Sequence, residues 1–464
     1  MNAETIAAIA TPPGKGALGI IRVSGPKTLE FLTPHIQLKK LKGLKDLEAQ
    51  KIAMAHFNKN GEVIDQITLC LFFSPHSYTG EDLAEIYCHG SSAVLKEILD
   101  SLLSSGIRLA NPGEFTQRAF LNGKLDLTQA EAVADLIHSK TKLSRKIALS
   151  QLEGNLSNKL TEARSQLIEI LAHIEVGIDH SDDPTSGMAM QKEILEEKLK
   201  HLVEELRLLI ESYQLGRLIQ EGVRIAIIGK PNVGKSSLLN RLLNSNRAIV
   251  TEIPGTTRDT LEEGFDLFGL NAVLVDTAGI RENAPDLVER LGQERSLNSL
   301  ENADIVLLLL DQSQNLSKED TRLATVTQHK EKVILILNKN DLPHKLSLKE
   351  VRQEFPQRPS HSISTLENKG IKELLKMLYH AAVGNEKEGE LAPEILITSL
   401  RHKNCLVSSK KNLEEAIKIS SNNIGEEVLA MEIRAALDAL GEMMGAVATE
   451  DILSSIFSKF CIGK

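Results

Sequence analysis

Between Gly229 and Ser237 the chain reads GKPNVGKSS, the pattern G-x-x-x-x-G-K-S, and this dictates a strand, a tight loop and a helix in that order. Such a loop wraps its backbone N–H groups around the phosphates of a nucleoside triphosphate. The preceding residues, 223–228 (VRIAII), read as a buried strand, and 237–243 open a helix whose dipole faces the anion. Lys235 is placed to neutralise the β and γ phosphates, and the Ser236 hydroxyl to ligate Mg²⁺. Asn232, Val233, Gly234 and Ser237 complete the nucleotide loop.

Three further elements follow in the order a GTPase needs. Asp276-Thr277-Ala278-Gly279 ends an apolar strand at 272–275, where Asp276 holds Mg²⁺ through water and Gly279 senses the γ-phosphate. Asn338-Lys339-Asn340-Asp341 ends another strand at 332–337. Asp341 can accept both N–H donors on the Watson–Crick edge of guanine, which adenine does not offer, and a buried acceptor left unpaired rejects the wrong base. Thr256-Thr257 supply the hydroxyl that closes over Mg²⁺ and the γ-phosphate. A GTPase domain of the Ras-like P-loop class is the expectation.

The rest of the chain is built differently. Its 464 residues have room for about three domains. Residues 1–120 look α/β: 18–24 and 52–57 read as strands, and 64–73 pairs with the latter across Asn58-Lys59-Asn60-Gly61. Ser91 or Ser92 caps a helix running to Leu103. From 127 to 218 the pattern turns to long amphipathic helices, with stripes at Leu160, Ala163, Leu167, Ile170 and Leu171, and at Leu195, Leu199, Leu202, Leu206 and Leu209. Pro184 marks a break at 179–185. The nucleotide segment spans 221–380, and the chain is helical again from 389 to 457. Helices on both sides make the GTPase domain (221–380) an insertion into one helical domain (121–220 and 381–464), behind an N-terminal domain (1–120). Residues 387–390 would be the returning linker.

Bulk properties exclude several classes. Four scattered cysteines with no C-x-x-C pair give neither a zinc site nor a disulfide framework, as expected in a reducing cytoplasm. There is no signal-peptide pattern at the start and no apolar run long enough to span a membrane. The net charge of −9 argues against broad electrostatic binding of nucleic acid. If RNA is a substrate, a local basic patch or a partner protein must supply the phosphate contacts.

The switch regions carry a mechanism. Ras-like GTPases place a Gln after D-T-A-G to orient the attacking water, but here the residue is Ile280, which can neither donate nor accept. Glu282, Asp286 and Glu289 are the nearby candidates for that task. Asn232 suggests a monovalent cation: its carbonyl oxygen, with backbone carbonyls from a loop at 251–257, could coordinate K⁺ beside the β–γ bridge and do the work of an arginine finger. The alternative is that Asn232 only caps a turn.

These residues and both chain ends make the sequence resemble the MnmE (TrmE) family of tRNA-modification GTPases over essentially its full length. The resemblance rests on Thr11-Pro12-Pro13-Gly14, Arg22-Val23-Ser24-Gly25, Thr79-Gly80-Glu81-Asp82 with Glu85 and His89-Gly90, and Asn111-Pro112-Gly113-Glu114-Phe115. It continues through 118–126 and Gly255-Thr256-Thr257-Arg258-Asp259 to the terminal Cys461-Ile462-Gly463-Lys464, the most specific of these signatures. It implies a tetrahydrofolate-binding and dimerisation domain, a helical bundle domain and an inserted GTPase domain. It further implies a homodimer whose GTPase domains meet in the presence of K⁺, and a heterotetramer with the flavoprotein MnmG (GidA). Together these add a carboxymethylaminomethyl or aminomethyl group to C5 of a tRNA wobble uridine.

By the same resemblance, Asn232 with the Thr251, Ile253 and Thr256 carbonyls binds K⁺, Ser236 and Thr257 bind Mg²⁺, and Glu289 orients the water. Arg22, Glu85, Lys124 and Lys464 match positions that hold 5-formyltetrahydrofolate; carboxylates suit Lys and Arg, and pterin N–H donors suit a Glu. Cys461 is either a nucleophile or acid near the folate or a small apolar residue packing the tail. Two departures stand out. The guanine-contacting loop reads Ser364-Thr365-Leu366 where the family has Ser-Ala-Lys or Ser-Ala-Arg, and the stretch before Val288-Glu289-Arg290 is one residue longer than usual. The rivals are an Era-like ribosome-assembly GTPase, which needs a basic RNA-binding domain, and a GTP-regulated non-catalytic scaffold.

Overall fold

The computed structural model describes residues 4–39, 43–179, 191–245, 248–249, 263–275, 300–384, 395–422, 424–447 and 449–464. Two compact units emerge: Met1–Ile137, Leu149–Glu204 and Cys405–Lys464 form the first, and His138–Ala148 with Glu205–Asn404 the second.

The first unit begins with β1 (Ile6–Ile9), β2 (Leu18–Ser24), α1 (Thr28–Leu32), β3 (Ile36–Leu38), β4 (Ile52–Lys59), β5 (Glu62–Phe72), β6 (Leu83–His89), α2 (Ser92–Ser104), β7 (Arg108–Leu109) and α3 (Glu114–Leu121). The strands make one sheet in the order β3-β4-β5-β6-β2-β1-β7. The β4–β5 hairpin turns on Asn60 and Gly61, at φ 53° and 89°. Asn58 and Lys59 instead pair with Val63 and Glu62, so the loop is tighter than the 58–61 span, as Asn-Gly favours. Ser91 caps α2 by position but makes no side-chain cap bond. One face of α2 (Leu95, Ile98, Leu102) is buried with Ile21, Leu69 and Ile86 of the sheet.

The N-terminal motif residues converge on a partly buried ion network. Arg118 binds Glu81 (2.9 Å) and Glu114 (2.9 Å). Arg108 pairs with Glu114 at 2.5 Å, and Glu81 also accepts from Ser24 Oγ at 2.8 Å. Burial pushes the Glu114 carboxyl up, but hydrogen bonds from Arg108, the Asn111 N–H and Arg118 outweigh it and hold the carboxyl below the usual carboxylate range. Replacing Glu114 takes a carboxylate from two arginines at once, leaving Arg118 to Glu81 alone and Arg108 to the exposed Glu4. Glu114→Gln is therefore expected to cost about 3 kcal/mol in urea unfolding at pH 7. A lowered folded pKa stabilises only above the unfolded value, so the difference between wild type and variant should shrink as the pH falls below about 4.

The helices α4 (Leu127–His138), α5 (Lys142–Leu152), α6 (Asn155–Asp179) and α7 (Lys192–Glu221) follow. In the α6 stripe Leu160, Ala163, Leu167 and Ile170 are buried and Leu171 is half-buried, while the α7 stripe is buried throughout. The anticipated break at 179–185 falls, from residue 180 on, outside the described residues.

The second unit holds β8 (Val223–Ile228), α8 (Lys235–Ser245), β9 (Ala248–Ile249), β10 (Glu263–Leu267), β11 (Leu270–Val275), β12 (Ile305–Asp311), α9 (Lys318–Val326), β13 (Val333–Asn338), α10 (Leu348–Glu354), β14 (Ser360–Ser362) and α11 (Ile371–Val383). Its sheet runs β14-β13-β12-β8-β11-β10-β9. Neighbours from β14 to β11 pair in parallel, and β10 and β9 add an antiparallel edge. Ile225 and Ile227 face one core, Ala226 and Ile228 the other, which is why these strands read as continuous apolar runs. Ile147 of α5, Leu218 and Ile219 of α7, and Leu396 join the first of these cores. Such a sheet gathers its loops at the carboxyl ends of the strands, where ligands bind. The chain closes with α12 (Leu400–Asn422), α13 (Glu426–Met444) and α14 (Glu450–Phe457), and α13 packs along α6. Among the described residues no helix is long and apolar enough to cross a membrane.

Candidate functional sites

The phosphate loop joins β8 to α8, and α8 begins at Lys235. Asn232 and Gly234 take positive φ, 63° and 102°; Asn tolerates that region through its short polar side chain. Lys235 Nζ donates to the Gly229 and Lys230 carbonyls at 2.8 and 2.9 Å. Burial lowers its pKa, with the Glu319 charge opposing, so an arriving phosphate would favour the charged form. Asn232, Ser236 and Ser237 are exposed at the mouth of the loop, and Val233 is buried beneath it.

The base-selecting elements lie against this loop. Asn338, fully buried, donates from Nδ2 to the Val233 carbonyl (2.8 Å) and accepts at Oδ1 from Thr365 N–H (3.2 Å). Ser364 Oγ donates to Asp341 Oδ1 at 2.5 Å, and Lys339 Nζ pairs with Asp311 at 2.6 Å. Asn338 is thus the bolt between the phosphate loop and the 364–366 loop. Thr251, Ile253, Thr256, Thr257, Asp276, Thr277, Ala278, Gly279 and Glu289 lie outside the described residues. The phosphate loop packs directly on the base-selecting element: the Cβ of an alanine at Gly234 would stand 2.3 Å from Asn338 Nδ2, so glycine is what permits that approach. Exposed Ser236 at the start of α8 suits Mg²⁺, and the exposed Asn232 amide suits a monovalent cation.

A second cluster forms in the first unit. Arg22 and Glu85 are direct cross-strand partners on β2 and β6 and pair at 2.8 Å. Tyr87, two residues on along the same face, donates to the other Glu85 oxygen at 2.5 Å. Burial, followed by Glu85, pushes the Tyr87 phenol up to about 12. The Arg22 guanidinium stands 5.8 Å from the Tyr78 ring centre. The C-terminal tail comes to this cluster: burial and then Arg22 lower the Lys464 pKa, while Glu85 and Cys461 oppose. Two crowded cations beside one carboxylate suit a ligand carrying both carboxylates and N–H donors. Cys461 is exposed, so packing of the tail falls to Phe460. Lys124 donates to the Pro75 carbonyl at 3.0 Å. Neither Tyr87 nor Tyr78 was picked out from sequence; the i, i+2 spacing of Glu85 and Tyr87 on a strand was the available signal.

Comparison with known proteins covers both sites. A family model described as "GTP-binding protein TrmE N-terminus" matches residues 5–124, and one described as "MnmE helical domain" matches residues 127–461. The "tRNA modification GTPase MnmE" of Thermotoga maritima is 42% identical over 462 residues, 99% of this chain and 100% of the relative. The protein of the same name in Alkaliphilus metalliredigens is 40% identical over 463 residues, 99% of each chain. That of Acetivibrio thermocellus is 42% identical over 469 residues, again 99% of each.

Proposed function

This chain belongs to the MnmE family of tRNA modification GTPases, and from that premise we propose that it hydrolyses GTP as part of tRNA modification. The observation that carries the reading is the Asn338 bolt, which holds Asp341 and the 364–366 loop in register with the phosphate loop. With both flanks of the nucleotide segment matched by MnmE-family models, the ribosome-assembly alternative loses its premise.

The finer reading assigns roles to individual side chains. Lys235 neutralises the β and γ phosphates, and Ser236 with Thr257 would hold Mg²⁺, which would supply charge stabilisation for phosphoryl transfer. Asp341 accepts the guanine N1–H and amino group. Asn232, with carbonyls of Thr251, Ile253 and Thr256, binds K⁺, and Glu289 orients water in place of the missing Gln. GTPase domains pair across a homodimer during the cycle. In the N-terminal domain Arg22, Glu85 and Lys464 hold a reduced folate such as 5-formyltetrahydrofolate, Lys124 borders it, and Cys461 is the group poised for chemistry. With the flavoprotein MnmG as partner, the product is a carboxymethylaminomethyl or aminomethyl group on C5 of a wobble uridine. We keep the partition 1–120, 121–220 with 381–464, and 221–380 for these three tasks.

Steady-state GTP hydrolysis in KCl and in NaCl at equal ionic strength tests this. We expect about tenfold or greater activation by K⁺, lost in Asn232→Ala. Equal, very slow turnover in both salts would remove the cation site and favour a GTP-regulated scaffold.

A further inference from the structure

The base-selecting loop lacks the basic third residue usual in its family: Leu366 stands there, 78% exposed. A cation reaches the loop from elsewhere. Arg241, on the second turn of α8, donates from Nε and Nη2 to the Thr365 carbonyl at 3.3 and 3.0 Å, and from Nη2 to the Leu366 carbonyl at 3.3 Å. A cavity of about 380 Å³ opens between them, lined by Ser237, Asn240, Arg241, Asn244, Thr365 and Leu366. Arg241 therefore borders open space between the phosphate loop and the base loop, and its task there is not core packing.

The consequence follows from peptide geometry. In a trans peptide the C=O and the next N–H point in opposite directions. With the Thr365 carbonyl turned to Arg241, the Leu366 N–H is turned away from α8. With the Leu366 carbonyl turned the same way, the Glu367 N–H reaches inward, and it donates to Ser364 Oγ at 3.1 Å. That hydroxyl in turn donates to Asp341. Asp341 answers the N–H donors of guanine; the remaining feature of that edge is O6, an acceptor, which needs a donor from the loop.

We propose that Arg241 is a positioning residue for guanine recognition, holding the Thr365 and Leu366 carbonyls so that the loop presents the Leu366 N–H to O6, the N–H groups of Thr365 and Glu367 being held by Asn338 and Ser364. The proposal rests on reading 338–341 and 364–366 as the guanine site. Because α8 also carries Lys235 and Ser236, the same guanidinium keeps the base loop in step with the phosphate loop. Lysine, a point charge, cannot hold two carbonyls in a fixed fork as arginine does.

The test is equilibrium binding of GDP, 6-thio-GDP and ADP to the full chain and to Arg241→Ala and Arg241→Lys. Sulfur at position 6 is a weak acceptor, so 6-thio-GDP keeps the Asp341 contacts and loses most of the O6 contact. In Arg241→Ala, GDP affinity is expected to fall about tenfold, with less than twofold change for 6-thio-GDP and an intermediate result for Arg241→Lys. Unchanged GDP affinity, or equal losses for GDP and 6-thio-GDP, overturns the role of Arg241. A wild-type chain that binds ADP as tightly as GDP overturns instead the guanine-site reading beneath it.

Discussion

Gly234→Ala is expected to weaken GDP and GTP binding by about a hundredfold or more, with hydrolysis falling alongside. Two costs combine at this position. Gly234 sits at φ +102°, where an alanine is strained. Its Cβ would also stand 2.3 Å from Asn338 Nδ2 and 3.7 Å from Thr365 Oγ1. Asn338 is fully buried and held from both ends, by Val233 O and Thr365 N, so it has nowhere to retreat. Either the phosphate loop or the base loop must then move, and both are needed at once for a nucleotide. Because the phosphate contacts are shared, GDP and GTP should lose affinity together. Asn338→Ala makes the informative comparison: it releases the base loop but leaves the phosphate loop unstrained, so guanine selectivity should suffer more than phosphate affinity. Isothermal titration with GDP reads both variants. A Gly234→Ala chain that binds GDP within twofold of wild type would falsify the close approach drawn here.

What could be read from the sequence was what local spacing encodes. The G-x-x-x-x-G-K-S loop needs only a strand before it and a helix after it, and β8 and α8 occupy those places. The Asn60-Gly61 turn is equally local, and it erred only by the two residues that extended into the strands. The illegible parts are pairings between distant segments. Arg22 and Glu85 lie 63 residues apart and become partners only through the β2–β6 register. Arg241 meets Thr365 across 124 residues, and nothing in the pattern of α8 marks one of its polar positions as functional. The amphipathic stripes were visible, but a stripe does not say what it faces. Leu218 and Ile219 of α7 bury into the nucleotide-domain core, while Leu195 and Leu199, toward the start of that helix, belong to the other unit. The Glu81–Arg118–Glu114–Arg108 network gives the N-terminal motif residues a structural task that sequence alone offered no means to separate from ligand binding.

The second large effect is expected at the other end of the chain, where Gly463→Ala should lower affinity for 5-formyltetrahydrofolate roughly ten- to a hundredfold without changing GDP affinity. The tail is fixed by its backbone: Gly113 N–H donates to the Cys461 carbonyl at 3.4 Å, and Phe115 N–H to the Lys464 carbonyl at 3.2 Å. Phe457 and Phe460 anchor it in a buried cluster with Leu127 and Ala130. Between anchor and terminus, Gly463 passes so close to β1 that an added Cβ would lie 2.4 Å from the Ile9 carbonyl oxygen, at a φ of +96°. Ile9 is held in register with Ile21 of β2, so the free tail, not the strand, is the element that lifts. Lifting it withdraws the Lys464 ammonium from Arg22 and Glu85, and with it a charged hydrogen-bond donor for a ligand carboxylate. Lys464→Gln separates the causes, since it keeps the tail seated and removes only the charge. If the ammonium is what the ligand needs, both variants lose affinity; if seating the Cys461 segment matters more, Gly463→Ala loses far more than Lys464→Gln. Titration calorimetry on the full chain decides between these, and unchanged folate affinity in both variants would strip the C-terminal tail of any part in the site.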